Sequence, residues 1–112
     1  MSLSSKQMVF SKNVAKLIIY AEIIGVGLTF GEAYRTEYQE KEYVRTGKSH
    51  TMKSNHLRRL AVDFNFFIND KILYEHPLIT KLGKYWESLN ELNRWGGFWT
   101  SFKDRAHFEM NV

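Results

Sequence analysis

The chain offers four histidines, His50, His56, His76 and His107, and no cysteine. A transition-metal site must therefore be built from imidazole and carboxylate. Disulfides, thiolate zinc sites and cysteine nucleophiles are excluded. Two of the histidines have neighbours that could do chemistry. His56 precedes Asp63, which interrupts the apolar run Ala61-Val62-Asp63-Phe64. A carboxylate there needs a partner, because burying it unpaired is costly or shifts its pKa. A metal ion is one remedy and an arginine is another. His107 follows Asp104 in Lys103-Asp104-Arg105-Ala106-His107-Phe108-Glu109. A strand-borne His with a carboxylate on the loop before it suits a hydrolytic zinc site. The His binds metal, and the carboxylate reaches a water at the open coordination position. Zinc lowers that water's pKa to about 7, and the carboxylate can carry its proton to a leaving amine. His50 in a polar loop and His76 beside Pro77 read as surface residues.

The elements that must position these residues are legible in outline. Ser4 with Gln7 has capping-box spacing. Phe10, Val14, Leu17, Ile18, Ala21 and Ile24 then recur at helical spacing, predicting a helix over 5–24 with one buried face, stopped by Gly25 and Gly27. Residues 28–34 alternate as a strand, and 36–44 fit a short polar helix. Residues 45–55 form a polar loop of the kind that covers sites. Residues 61–68 read as a strand, Asn69-Asp70 as a turn, and 71–74 as the returning strand. Pro77 starts a second long helix, burying Leu78, Leu82, Tyr85, Trp86 and Leu89. Residues 93–97 read as a turn and 106–112 as a final strand. This order predicts an α+β fold, a small antiparallel sheet with flanking helices. The length of 112 residues predicts a single domain over 1–112.

Composition narrows the function classes. A 44% hydrophobic and 15% aromatic content supports a packed core and argues against a disordered chain. The net charge of +4 is dispersed, so no basic stripe points to nucleic acid. The most apolar stretch, 14–28, carries Lys16 and Glu22, so no membrane insertion is expected. The N-terminal residues lack the pattern of a secretion signal.

Together these segments resemble a known family. Ser54-Asn55-His56-Leu57-Arg58-Arg59-Leu60-Ala61-Val62-Asp63 resembles the S-x-H-x-x-G-x-A-x-D motif of the M15 peptidases. That family includes D-alanyl-D-alanine carboxypeptidases and L-alanyl-D-glutamate endopeptidases of phage lysins. Asp104-Arg105-Ala106-His107 resembles its second motif. Tyr34-Arg35-Thr36 with Gln39 resembles its upstream arginine motif, and the run from Arg94 to Glu109 resembles the phage branch. The resemblance implies the single-domain M15-type fold and one Zn2+ per chain on His56, Asp63 and His107. It implies Asp104 as general base and acid, and Arg35 on substrate oxygens. An ion pair of Arg35 with Glu32 or Glu37 is the plain alternative. Ser54 is a candidate substrate or ligand partner, and Glu109 is placed to orient a ligand. Trp86 reads as core. Trp95 and Trp99 fit either the cleft wall, with Trp99 touching substrate, or the core. Arg59 stands where the motif has Gly, which suggests that neither an unusual backbone angle nor room for a close neighbour is strictly needed there, or that the turn differs.

The expected activity is hydrolysis of peptidoglycan stem peptides by a monomeric zinc metallopeptidase, an endolysin cutting the L-alanyl-D-glutamate bond. It would be made in the host bacterial cytoplasm and reach the wall through a separate membrane pore. The alternatives are a D-alanyl-D-alanine carboxypeptidase and a non-catalytic zinc-binding module.

Overall fold

The computed structural model describes residues 2–49 and 54–112. His50, read above as a surface residue, lies outside the described residues. Helix α1 spans Leu3–Ile24 and is capped by Ser2, whose hydroxyl accepts from the Ser5 amide, rather than by Ser4. It ends at Gly25, whose φ of 86° is the left-handed cap glycine supplies freely. Phe10, Leu17 and Ala21 are buried as the spacing predicts, and Asn13 is buried with them. Ile18 is 37% exposed, because the buried stripe runs 10, 13, 17, 21 and leaves it on the flank.

Strand β1 covers Gly27–Phe30, shorter than the predicted 28–34. The chain beyond it still hydrogen-bonds to the neighbouring strand, with the Gly31 amide on Asp63 O and the Asp63 amide on Glu32 O. Helix α2, Glu37–Arg45, begins at a full capping box of Thr36 and Gln39. A short 3-10 helix, Asn55–Arg58, begins at the last residue of the expected loop 45–55 and fills part of the stretch before β2 to which no element was assigned. Strand β2, Ala61–Ile68, returns as β3, Lys71–Leu73, through Asn69 and Asp70, both with positive φ. That is the two-residue turn an antiparallel hairpin favours. Helix α3 covers Pro77–Leu89, and the His76 ring caps it by accepting from the Leu78 amide. His76 is thus a helix cap as well as a surface residue. Residues 93–97 are not a turn. Asn93–Trp95 is strand β4, followed by a short 3-10 helix, Gly96–Phe98. Three residues are too few to show alternation, so only pairing with the last strand reveals β4. Strand β5 is His107–Met110.

The sheet is wholly antiparallel, in the order β1-β2-β5-β4, with β3 also on β2. Long β2 carries β1 on one edge, while β5 and then β3 share the other. Alternation gives the sheet two faces. Val62, Phe64, Phe66, Phe108 and Met110 point into the core with α1 and α3. Asp63, His107 and Glu109 point the other way, into a cleft. Trp86 and Trp95 are both buried, Trp86 donating its indole N–H to Glu109 O and Trp95 to Arg105 O. The rings of Trp86 and Trp95 flank Phe108, at 5.9 and 6.3 Å between centroids.

Helix α3 approaches Trp95 through Gly83, where an added Cβ would fall 2.1 Å from the indole. Gly83→Ala is therefore expected to cost about 1–3 kcal/mol by overpacking. Urea denaturation of the variant against the parent checks this.

Candidate active site

The pairing of β2 with β5 sets Asp63 directly opposite His107. Cross-strand partners share a face, so both side chains enter the same cleft, which has a volume of about 740 Å³. His56 arrives from the 3-10 helix just before β2. Ser54 opens that helix by accepting from the His56 amide, and Arg59 closes it with φ 57° and ψ 36°. The left-handed angle is therefore kept with an arginine where the M15 motif has glycine. This corrects the expectation that the angle was dispensable or the turn different. The strain of about 1–2 kcal/mol for a non-glycine residue there is partly offset, because the Arg59 guanidinium lies 4.1 Å from the Tyr34 ring centroid. The His56 carbonyl accepts from both the Arg35 and Arg59 amides, locking the turn against the segment between β1 and α2 that carries Arg35.

The donor geometry tests whether a metal fits. Nδ1 of His56 is 3.1 Å from the Ala33 carbonyl, which only accepts, so Nδ1 carries the hydrogen and Nε2 is the free donor. Nε2 of His107 is 2.7 Å from a Glu109 carboxylate oxygen, so Nδ1 faces inward. These inward atoms lie 3.4 Å (His56 Nε2) and 3.2 Å (His107 Nδ1) from Oδ1 of Asp63. A tetrahedron with bonds of about 2.05 Å has edges of about 3.3 Å. One donor atom from each of His56, Asp63 and His107 lies within 4.8 Å of the others. Two imidazoles and a carboxylate converging at this spacing can hold one transition-metal ion. Glu109 holds the second ring nitrogen of His107, the carboxylate support that orients a metal-binding imidazole.

The same contacts move protons. Burial works against charge on His107, but hydrogen bonds to Asp63 and Glu109, with their negative charge, push its pKa up to about 9. Burial works against ionised Asp63, but the hydrogen bond with His107 and the closeness of His56 outweigh it and hold the carboxyl well below the usual range.

Asp104 lies in the cleft on the loop before β5, with its amide on Gly96 O and its carbonyl accepting from His107 N. Partial burial and the nearby charge of Asp63 push its pKa up, against the pull of His107. A Cβ on Gly96 would fall 2.2 Å from the Asp104 carbonyl, so only glycine lets the loop come this close. The tryptophans divide. Trp95 is core, while Trp99 lines the cleft with its ring 5.1 Å from that of His107.

Arg35 lines the cleft with Ser54, and its Nη1 is 3.3 Å from the Ser54 hydroxyl. Its partners are Glu32 and Glu40, whereas Glu37 lies near Lys41 instead. Tyr43 completes the group. Its ring lies 4.7 Å from the guanidinium carbon, and its hydroxyl donates to Glu32. Burial opposes the Arg35 charge, but both carboxylates more than compensate and its pKa rises. Glu40 and Tyr43 were not found from sequence. α2 carries three acids, Glu37, Glu40 and Glu42, and no periodicity marks Glu40 as its buried residue.

A family profile described as D-alanyl-D-alanine carboxypeptidase, within the M15 peptidases, matches residues 47–110. The chain belongs to the M15 peptidase family. M15 peptidases are metal-dependent, in keeping with the three converging donors. An L-alanyl-D-glutamate peptidase from Listeria phage A118 is 31% identical over 97 residues, 86% of this chain and 34% of that protein. The chain thus spans about a third of the length of this curated relative. The crystal structure of the Serratia marcescens L-Ala D-Glu endopeptidase ChiX matches with a TM-score of 0.72 at 25% identity. That match covers 89% of this chain and 79% of ChiX. It bears out the α+β M15-type fold.

Two outcomes follow for protein stripped of metal. The raised His107 pKa contributes stability that is full below about 6.5 and is lost as pH rises through about 9. The lowered Asp63 pKa contributes stability that is full above about 3.8 and is lost as pH falls through its depressed value. Melting temperature against pH should therefore fall on the alkaline side, and His107→Asn should flatten that limb. Metal binding at pH 7 should release about one proton, because a ligating imidazole must lose it. Calorimetric titration with zinc in buffers of different protonation enthalpy measures that release.

Proposed function

We propose that this chain is a zinc-dependent peptidase that hydrolyses peptidoglycan stem peptides at the L-alanyl-D-glutamate bond. The observation that carries the reading is the set of ligand atoms of His56, Asp63 and His107 gathered in one cleft with Asp104 and Arg35. The names of the phage relative and of ChiX support the choice of bond. In this reading the 112 residues act as one peptidase domain, and as a monomer.

In this reading His56, Asp63 and His107 hold one Zn2+. When bound, zinc supplies Lewis acidity, polarising a carbonyl and easing deprotonation of water. Asp104 takes the proton from the attacking water and returns it to the leaving amine. Its upward-shifted carboxyl suits both directions of transfer, since a proton carrier works best with a pKa nearer the operating pH. Arg35 offers an N–H to the scissile carbonyl oxygen, where negative charge develops. Ser54 helps hold Arg35 and the His56 turn. Trp99 walls the cleft beside His107 and packs on the substrate backbone. Glu109 keeps the His107 ring turned so that Nδ1 faces the metal.

No helix among the described residues is long and apolar enough to cross a membrane. The endolysin reading, by its nature, includes passage to the wall through a separate pore. A second reading, D-alanyl-D-alanine carboxypeptidase, is favoured by the description of the matching family profile.

Mass spectrometry of digested peptidoglycan separates the two readings. Cleavage between L-alanine and D-glutamate supports the first, whereas release of terminal D-alanine alone sinks it. Metal analysis should find one zinc per chain, and His56→Ala should lose it. Asp104→Ala should retain the zinc while the cleavage rate falls by about 10²–10⁴-fold. Undiminished cleavage would move the proton-transfer role to another group.

A further inference from the structure

Glu40 is the least expected side chain in the molecule. The other residues of α2 are exposed or half-buried, yet Glu40 has no exposed surface at all. Its carboxylate meets Nη1 of Arg35 through both oxygens, at 3.2 and 3.0 Å. Glu32 takes the other edge of the same guanidinium, accepting from Nε at 2.6 Å and pairing with Nη2. Ser54 also accepts from Nη1. A guanidinium has five N–H groups. These contacts use the hydrogens of Nε and Nη1 and one on Nη2, leaving one N–H of Nη2 without a partner among the described residues. The ring of Tyr43 lies against the guanidinium, and its hydroxyl is tied to Glu32.

Two properties follow. Arg35 has no two-pronged edge left for a carboxylate, which arginine ordinarily binds in that way. Two carboxylates already face its single charge, so a third anion there meets like charge. One acceptor oxygen of a neutral peptide group still fits the remaining N–H.

We propose that Glu40 determines what Arg35 binds: with Glu32 and Glu40 in place, Arg35 takes the neutral carbonyl oxygen of the scissile peptide and rejects the substrate's carboxylate. This rests on reading the cleft as a peptidase. It gives the buried glutamate a part in specificity. An internal D-glutamate keeps one free carboxyl whichever one continues the chain, so the leaving residue carries such an anion close to the bond being cut. Glu40 then prevents that anion from capturing the arginine in an unproductive pose. Glu40 acts through Arg35 and is a positioning residue.

The test compares two matched peptides, one with D-Glu after the scissile bond and one with D-Gln, which differ by a carboxylate against a carboxamide. Zinc-loaded parent protein and Glu40→Gln are each assayed for KM and kcat on both peptides, and for binding by calorimetry. Freeing Nη1 of its anionic partner should shift the affinity ratio toward the D-Glu peptide by about tenfold, the worth of one charge-assisted hydrogen bond. A ratio that stays the same overturns the proposal, even if activity on both peptides falls together, as a purely structural glutamate would cause. Binding of neither peptide also overturns it. If thermal melting shows that Glu40→Gln does not fold, Glu32→Gln, on the more exposed carboxylate, is read by the same ratio. If the parent cuts neither peptide, the peptidase reading fails, while the calorimetric ratio still decides the role of Glu40.

Discussion

The antiparallel register that places Asp63 opposite His107 governs everything in the cleft. Strand side chains alternate between faces, so a slip of one residue would send Asp63 into the apolar core and Phe64 into the cleft. The register is held from the other side of the sheet. Phe64, Phe66 and Phe108 meet edge to face, and Phe108 also contacts Trp86 and Trp95. Burial of these rings fixes the strand pairing, and the pairing fixes the distance between two polar groups that the core never touches.

Once the register is set, the polar face must satisfy its charges. Asp63 sits between two imidazoles, and His107 between two carboxylates. Each group is partly buried, so each depends on the others to stay charged or correctly protonated. The inward nitrogens point at Asp63, so one ion of suitable size could be shared by all three residues. Orientation comes from outside the ligand set, through Ala33 O for His56 and Glu109 for His107. The same logic recurs at Arg35, where Glu32, Glu40 and Tyr43 fix a cation that would otherwise swing freely.

Backbone closeness does the remaining positioning. The left-handed Arg59 ends the 3-10 helix so that β2 can begin two residues later with His56 folded back beside it. Gly96 lets the Asp104 loop lie against the segment after β4, bringing a carboxylate to the cleft beside Asp63 and His107. Neither feature adds a functional group. Both decide whether functional groups meet.

The sequence by itself determined the chemical inventory and most of the elements. The absence of cysteine restricted any site to imidazole and carboxylate. The spacing of Phe10, Leu17 and Ala21, and Pro77 at a helix start, marked the two long helices through local rules. The motifs around His56, Asp63, Asp104 and His107 named the residues that the fold then gathered. Tertiary structure decided what no local pattern carries. Strand β4 exists only because β5 pairs with it. Trp95 and Trp99, alike in sequence context, part between core and cleft because one indole packs on Gly83 and the other on His107. Glu40, one acid in a polar helix, becomes wholly buried because Arg35 is held beside it by the distant Ser54–His56 segment. The physical reason is common to all three. Propensity and periodicity act between near neighbours, whereas burial and ion pairing depend on which distant surface arrives.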